Sequence, residues 1–190
     1  MSLLTLLDSR AHRNRNMPNI TIKALLIYDN IKNEGALIKS VAFPWFSILN
    51  EIRKNPNGIY QFDSRTWEEI IAGAYRQAGF DEVILTPRSG DKGRDVVATK
   101  KGIGSIRIFD QVKAYKPGHV VTADEVRSMI GVITGAANVS KGIITTTSVF
   151  APRINQDEFI KPFIPFRLEL KPKDVLLVWL NELYQESQNK

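Results

Sequence analysis

The segment Ser89–Lys116 reads SGDKGRDVVATKKGIGSIRIFDQVKAYK, and its pattern predicts two β-strands joined by a tight turn. The apolar and β-branched residues form the strands, and the glycines of KGIGS (101–105) mark the turn. Asp95 stands directly before the first strand, and Gln111 and Lys113 lie two residues apart on the second. This layout is typical of metal-assisted phosphodiester cleavage, although a neutral amide stands where a second acid is expected.

Side chains of a strand alternate between the two faces of its sheet, which sorts the polar residues of the second strand. Phe109, Gln111 and Lys113 share one face, and Asp110 points to the other. Asp110 is therefore not expected to replace the missing acid. The 15 residues between Asp95 and Gln111 fit an antiparallel pairing that brings these two side by side.

The residue types at this hairpin suit a magnesium ion, which prefers oxygen ligands and retains several waters. Asp95 supplies one negative charge and Gln111 supplies none, so Glu68 or Glu69 on the preceding helix is expected to contribute the balance. Lys113 is expected to orient the attacking water and to stabilise charge on the phosphate. From these residues alone, an active site, an inactive site and a charged surface hairpin all stay open.

The fold class predicted around the hairpin is α/β, with a mixed central sheet and helices on both faces. A helix, a three-stranded meander, a crossover helix, a strand, a short helix, a strand and a final helix follow in order. The predicted helices cover 64–79, 122–139 and 174–187, and the strands 82–87, 95–100, 106–115, 141–148 and 165–170.

Local signals fix several helix ends and contacts. Ser64 is expected to cap the first helix. Thr122 and Glu125 have the spacing of a capping box. Gly131 and Gly135 are expected to allow close packing of the crossover helix on the sheet.

The N-terminal part carries weaker signals. A strand over 20–28 and an amphipathic helix over 44–54 precede a turn at 55–58. We therefore predict an N-terminal extension of unknown role over 1–55 and a catalytic domain over 56–190.

The composition narrows the function classes. The net charge is +6, and residues 86–116 contribute +5 of it, which favours a nucleic-acid partner. The chain has no cysteine, which excludes disulfides, thiol nucleophiles and cysteine–zinc sites. No apolar run is long enough to span a membrane, and no signal peptide is recognised, so a cytoplasmic protein is expected.

Five motifs follow one another in a recognisable order. They are NPNGIYQFDSRTWEEIIAGAYRQAGF, TPRSGDKGRDVVA, FDQVKAY, ADEVRSMIGVI and GIITTTSVF. Together they resemble the Mrr-like restriction endonucleases, a branch of the PD-(D/E)xK nuclease superfamily, over residues 56–186. The resemblance also makes glutamine the usual residue at the position of Gln111.

The resemblance implies a role for each candidate site residue. Asp95 is the principal metal ligand, Gln111 the variant second ligand and Lys113 the catalytic lysine. Glu68 matches the acidic residue of the first helix, whereas Glu69 is expected to face solvent. The implied cofactor is Mg²⁺, with Mn²⁺ as a substitute.

The remaining candidates are a turn residue, the two histidines and the predicted DNA contacts. Asp91 is expected to hold the turn before Asp95 rather than to bind metal. His119 and His12 are expected to have no catalytic role. Predicted contacts to double-stranded DNA are Lys92, Arg94, Lys116, Arg127 and Thr146, with a surface salt bridge as the alternative for Arg127 and strand propensity as the alternative for Thr146.

The leading hypothesis is a magnesium-dependent DNA endonuclease that acts in restriction or DNA defence. A non-catalytic DNA-binding module with the same fold is the first alternative, and a protein-interaction domain is the second. Cleavage at two sites would favour a homodimer. Residues 1–55 are short for a winged-helix recognition domain, so specificity for modified bases is not carried over.

Overall fold

A computed structural model describes residues 25–90 and 92–189 of the chain. The strands are β1 Leu26–Lys32, β2 Gly35–Val41, β3 Glu82–Leu85, β4 Val96–Gly102, β5 Gly104–Lys113, β6 Val120–Val121, β7 Lys141–Thr146, β8 Val149–Phe150 and β9 Leu168–Lys171. The α-helices are α1 Phe43–Lys54, α2 Ser64–Gln77, α3 Ala123–Gly135 and α4 Lys173–Gln188. Short 3-10 helices cover Pro56–Gln61, Ile154–Gln156 and Lys161–Phe163.

Seven strands of the described chain form one mixed sheet in the order β1-β2-β3-β4-β5-β7-β9. The pairs from β1 to β5 are antiparallel, and β5, β7 and β9 run parallel. Because α3 connects β5 to its parallel neighbour β7, the change of direction falls at β5. The predicted mixed α/β sheet with helices on both faces is confirmed.

Helices cover both faces of the sheet, and each face has its own apolar core. Helices α1, α2 and α4 pack on one face, which we call the rear face, around Val96, Ala98 and Val112. Helix α3 packs on the other, the front face, around Val97 and Phe109. Neighbouring residues of one strand thus enter different cores, as strand alternation requires.

Part of the predicted N-terminal extension joins this sheet. Residues 1–24 lie outside the described chain, so the strand predicted over 20–28 is seen only from its last residues, where β1 begins at Leu26. The sequence patterns missed β2, which pairs with β3 through Ala36 and Leu85. Trp45 of α1 is fully buried and donates a hydrogen bond from Nε1 to the Ile70 carbonyl at 3.1 Å. The boundary at residue 55 stays a prediction.

The helix caps match the sequence at one position and differ at another. The capping box of Thr122 and Glu125 is present at the start of α3. The prediction of Ser64 as the cap of α2 is wrong, because Asp63 has the extended backbone of a cap and accepts from the Thr66 amide at 2.7 Å. Ser64 is the first helical residue.

Close helix–sheet packing depends on a glycine that the sequence analysis did not select. Gly131 and Gly135 are exposed, and a β-carbon at either would meet nothing within 4 Å, so that prediction is wrong. A β-carbon at Gly142 on β7 would lie 2.7 Å from Ile133 and 2.9 Å from Met129. The small residue belongs to the strand rather than to the helix.

The described helices give no sign of a membrane span, since none combines the necessary length with sufficient hydropathy.

Candidate active site

The register of β4 and β5 brings Asp95 beside Gln111. Val96 pairs with Asp110, and the Asp95 amide donates to the Asp110 carbonyl at 2.9 Å. The Asp95 carboxylate also accepts a hydrogen bond from the Val112 amide, with 2.7 Å between Oδ2 and the nitrogen. The side chain of Asp95 therefore reaches onto the end of β5, next to Gln111, as the strand connection predicted.

The two faces of β5 separate its polar residues as expected. Gln111 and Lys113 are partly buried on the front face, beyond Phe109 in the core under α3. Asp110 is fully buried on the rear face, where the Tyr75 hydroxyl of α2 donates to it at 2.7 Å. Asp110 is therefore excluded from the group formed by Asp95, Gln111 and Lys113.

Glu68 is connected to the same end of the sheet by contacts of Arg65. Arg65 Nη1 is 2.7 Å from Glu68 Oε2 and donates to the Thr86 carbonyl at 2.9 Å. The Thr86 amide in turn donates to the Asp95 carbonyl at 2.9 Å. Arg65 and Thr86 thus connect the start of α2 to the residue before β4.

The prediction that Glu69 faces solvent is wrong. The residue is partly buried, and burial raises the pKa of its carboxyl above the usual value, while the charge of Arg65 opposes this change. Its charge also acts on Tyr28 of β1, whose hydroxyl pKa is raised mainly by burial. Glu69 therefore faces the N-terminal hairpin.

Lys113 meets a carboxylate from the opposite element of the front face. Its Nζ lies 3.3 Å from Oε1 of Glu125 at the start of α3, and about a fifth of each side chain is exposed (22% and 23%). The Tyr115 hydroxyl donates to the same oxygen. Burial raises the Glu125 pKa, but the hydrogen bonds from Thr122 and Tyr115 and the charge of Lys113 outweigh this and lower it to about 2. The carboxylate is therefore ionised throughout the physiological pH range.

Behind β5, Asp110 belongs to a second polar cluster that is sealed from water. Thr145 Oγ1 donates to Asp110 Oδ2 at 2.9 Å, in addition to Tyr75. Lys171 is 6% exposed and lies with Nζ 3.8 Å from the ring centroid of Trp179. Burial raises the Asp110 pKa to about 6, against the opposing effects of Lys171 and the two hydroxyl groups.

The geometry and the sequence motifs agree with a family comparison. The family model Mrr_cat, described as restriction endonuclease, matches residues 59–157. The chain belongs to this family. The matched range contains Glu68, Asp95, Gln111 and Lys113, and it also contains Glu125.

Two solved structures are similar to this Mrr_cat chain. The MspJI restriction endonuclease in complex with a 27-mer oligonucleotide has 17% identity and a TM-score of 0.41, over 77% of this chain and 35% of that one. The DNA modification-dependent restriction endonuclease AspBHI has 15% identity and a TM-score of 0.45, over 88% and 44%. The chain thus spans less than half the length of either. No curated protein matches it.

A divalent metal would suit the oxygen donors of the candidate residues. Among residues 25–90 and 92–189, no group of three or more His, Cys, Asp or Glu side chains could hold an ion. The candidate set instead combines two carboxylates, Asp95 and Glu68, with the amide oxygen of Gln111. These are the hard oxygen donors that Mg²⁺ accepts when waters and a phosphate complete its shell. An ion that contacts Glu68 would compete with Arg65 for its carboxylate.

A further charged group lies over the Phe109 ring on the front face. Arg94 Nη2 pairs with Glu34 Oε1 at 3.0 Å, and Arg107 pairs with the other oxygen of the same carboxylate. The Arg94 guanidinium lies 4.4 Å from the ring centroid of Phe109. Glu34 stands between β1 and β2, so the N-terminal hairpin is tied to the residue that precedes Asp95.

The predicted DNA contacts differ in how they are presented. Lys92 and Lys116 are exposed, and Lys92 has a left-handed backbone with φ of 55°. Arg94 is largely buried by its pairing with Glu34, with 14% of its side chain exposed. Arg127 forms ion pairs of 2.6 Å with both Asp124 and Asp157, so the salt bridge considered for it is present.

Thr146 is fully buried, and its hydroxyl donates to the Lys113 carbonyl at 2.8 Å. The hydroxyls of the neighbouring residues 145, 147 and 148 also donate within the protein. This arrangement ties the end of β7 to the end of β5 and does not present the Thr146 hydroxyl to a phosphate. His119 packs its ring 4.1 Å from that of Tyr115, and Asp91 and His12 lie outside the described residues.

Sequence reasoning missed three residues that contact the site. Arg65 could have been found from its spacing of three residues before Glu68, which places both on one face of a helix. Glu125 was recognised only as part of a capping box, although a carboxylate at the start of α3 was visible. No local signal pointed to Tyr115, because its contact depends on how α3 crosses the sheet.

Proposed function

We propose that this Mrr_cat chain is a magnesium-dependent DNA endonuclease that hydrolyses phosphodiester bonds. The observation that supports this most directly is that Asp95, directly before β4, lies beside Gln111 near the end of β5. Lys113 follows Gln111 by two residues on the same strand. Family membership supports nuclease chemistry, and the choice of Mg²⁺ and of Glu68, Asp95, Gln111 and Lys113 as site residues is our proposal.

In this proposal, Asp95, Gln111 and Glu68 hold the metal ion, and Mn²⁺ can replace Mg²⁺. When bound, the ion supplies Lewis-acid stabilisation of phosphate charge and lowers the pKa of water. Gln111 adds an oxygen without a charge, so the scissile phosphate itself supplies part of the neutralisation. Arg65 keeps Glu68 at this edge of the sheet before the metal binds.

Lys113 acts on the phosphate from the front face. Its ammonium group orients the attacking water and stabilises the negative charge that grows on the phosphate oxygens. A bond forms between the water oxygen and phosphorus, and the bond from phosphorus to the leaving oxygen breaks. One proton of the attacking water passes through solvent to the leaving oxygen. Partial burial of Lys113 strengthens its electrostatic contribution, because screening by water is reduced.

Double-stranded DNA is the proposed substrate because positive charge is concentrated near the site. Residues 86–116, which include Asp95 and Lys113, carry most of the net charge of the chain. Lys92 and Lys116 are the exposed members that we expect to contact phosphates, and such contacts make binding sensitive to salt. A role in restriction or DNA defence is part of the proposal and is supported by the family. A cytoplasmic location is also part of it, as is a homodimer if both strands are cut.

A plasmid assay tests this function. Purified protein is incubated with supercoiled DNA in Mg²⁺, Mn²⁺ or EDTA, and nicked and linear products are followed over time. We expect cleavage with either metal, none with EDTA, and a loss of about 10²- to 10³-fold in Lys113→Ala. Lys54→Ala is the matched control, because Lys54 is an exposed lysine of α1 that pairs with Glu51.

The substrates include methylated, unmethylated and branched DNA. Equal inactivity of wild type and Lys113→Ala on all of them would remove the catalytic proposal. Salt-sensitive DNA binding without turnover would then support the non-catalytic binding module. An absence of DNA binding at physiological salt would instead support a protein-interaction domain.

A further inference from the structure

Glu125 divides its two carboxylate oxygens between two tasks. Oε2 accepts from the Thr122 amide at 2.9 Å and from the Thr122 hydroxyl at 3.0 Å, which completes the capping box of α3. Oε1 takes no part in the cap. It lies 3.3 Å from Lys113 Nζ and accepts the hydroxyl of Tyr115.

The cap makes the second task possible. A glutamate on a flexible surface could pair with a lysine in many arrangements, and such pairs contribute little. Here the Thr122 amide and hydroxyl fix the carboxylate, so Oε1 has one position in front of β5. The Lys113 side chain crosses from the sheet to this oxygen and loses the freedom of an exposed lysine.

Tyr115 donates a hydrogen bond to the same oxygen. Its ring packs 4.1 Å from the ring of His119, and the Ser148 hydroxyl donates to the carbonyl of His119. Burial, together with the hydrogen bond to Glu125, raises the Tyr115 pKa to about 12, so the hydroxyl keeps its proton as a donor. Two side chains, Lys113 and Tyr115, therefore converge on one carboxylate oxygen.

We propose that Glu125 is a positioning residue that holds the ammonium group of Lys113 at the phosphate-facing end of β5. This inference rests on the proposed nuclease function and deepens it. Gln111 leaves the strand without a second acid, and Glu125 on the facing helix provides the carboxylate that Lys113 needs as a partner. Tyr115 acts through Glu125 and not on the substrate.

The decisive variant is Glu125→Gln, because glutamine preserves the capping box and removes the charge. We expect kcat for DNA cleavage to fall about 10- to 100-fold while KM for DNA stays close to wild type, since a misplaced catalytic group affects the chemical step. Tyr115→Phe should cause a smaller loss of kcat in the same direction. Both are measured under saturating Mg²⁺ with wild type in parallel.

A second readout needs neither DNA nor metal. Metal-free protein is treated with a limiting amount of an amine-acylating reagent, and the modification of each lysine is followed by mass spectrometry. Release of Lys113 from its ion pair should increase its labelling rate about two- to fivefold in Glu125→Gln. The labelling rates of other lysines provide the internal reference.

Two variants of the same helix turn separate positioning from helix stability. Asp124→Asn removes an equal charge from a neighbouring residue that is 91% exposed and pairs with Arg127, so kcat and Lys113 labelling should stay at the wild-type level. Thr122→Ala weakens the cap but keeps the Glu125 carboxylate. It should lower the unfolding midpoint more than Glu125→Gln does and reduce kcat less.

The outcomes distinguish a failure of the positioning role from a failure of the proposed nuclease function. Cleavage by Glu125→Gln with wild-type kcat would overturn the positioning role. A wild-type protein without turnover would overturn the proposed function. In that event, unchanged Lys113 labelling in Glu125→Gln would overturn the positioning contact as well, and faster labelling would support it.

Discussion

The two faces of β5 each contact or carry a carboxyl group, and the two carboxyl groups have pKa values shifted in opposite directions. On the front face, Lys113 meets Glu125 at a partly exposed ion pair whose carboxyl pKa is lowered to about 2. On the rear face, Asp110 is fully buried, and its pKa is raised to about 6. The same strand therefore carries the partly exposed charge of Lys113 on one face. On the other face it carries the carboxyl of Asp110, whose neutral form is favoured by burial.

The difference shows how a strand can be anchored on one side and remain accessible on the other. The rear carboxyl is held by Tyr75 and Thr145, which come from α2 and β7. Its Oδ1 receives no hydrogen bond from any described residue. A buried polar group with an unsatisfied atom lowers the free energy of unfolding, and removing one of its partners lowers it further.

The largest effect should come from Asp110→Ala. The variant leaves the Tyr75 and Thr145 hydroxyls without their acceptor and removes one of the two carboxylates that act on Lys171, so the free energy of unfolding should fall by about 3–5 kcal/mol. Urea unfolding of the metal-free protein measures this loss. Asp110→Asn retains an acceptor oxygen and should lose less than half as much. Equal losses in the two variants would show that the hydroxyl contacts do not anchor β5.

The pH dependence of stability should have opposite signs for the two carboxyls. Asp110 has a raised folded pKa, so its contribution is complete below about pH 4 and declines as the pH rises to about 6, by at most about 3 kcal/mol. Glu125 has a lowered folded pKa, so its contribution is complete above about pH 4.5 and declines as the pH falls towards 2.

These contributions are read as differences between wild type and single variants across pH 2–8. Wild type should lose stability relative to Asp110→Asn between pH 4 and 6, with a constant difference above pH 6. The difference between wild type and Glu125→Gln should instead grow from pH 2 to 4.5. Parallel curves for all three proteins would contradict the assignment of opposite environments.

A smaller effect is expected from Glu34→Ala, which tests whether the front face depends on the N-terminal hairpin. Removing this carboxylate leaves Arg94 and Arg107 without their shared partner at sites where only 14% and 16% of their side chains are exposed. We expect a loss of about 1–3 kcal/mol in the free energy of unfolding. Glu51→Ala is a matched control in an exposed pair. A loss no larger than that of the control would show that the hairpin does not stabilise the segment before Asp95.

The smallest effect should come from Arg127→Ala, because both of its ion pairs are at the surface. The unfolding free energy should stay at the wild-type level, because solvent screens exposed ion pairs. DNA affinity in metal-free buffer separates the two roles considered for Arg127. Affinity lost with a reduced salt slope would support a phosphate contact, whereas unchanged affinity would leave only the ion pairs with Asp124 and Asp157.

The sequence predicted the parts of the fold that depend on local pattern. The alternation of β5 separated Asp110 from Lys113, and the capping box fixed the start of α3. Gly131 and Gly135 were misread because their spacing resembles a packing stripe, while the close contact lies at Gly142 and depends on how α3 crosses β7. β2 was missed because its pattern is weak without its partner β3.

The candidate site was predictable in its strand residues and not in its cross-element contacts. Asp95, Gln111 and Lys113 belong to a single hairpin, so spacing and alternation were sufficient to predict that they lie close together. Their roles in metal binding and catalysis came from the family resemblance and stay a prediction. The pairing of Glu125 with Lys113 requires the angle at which α3 returns over the sheet. The pairing of Arg94 with Glu34 joins residues 60 positions apart. No local rule contains these distances.

The change of strand direction at β5 has a consequence for the order of folding. Strands β3, β4 and β5 form a meander of sequential antiparallel neighbours, whose contacts close short loops, whereas the pairing of β5 with β7 must wait for the crossover through α3. We expect pulse-labelling hydrogen exchange to show early protection of β4 and β5 and later protection of α3. Asp95 and Gln111 would then be neighbours in a folding intermediate that has not yet delivered Glu125 to Lys113.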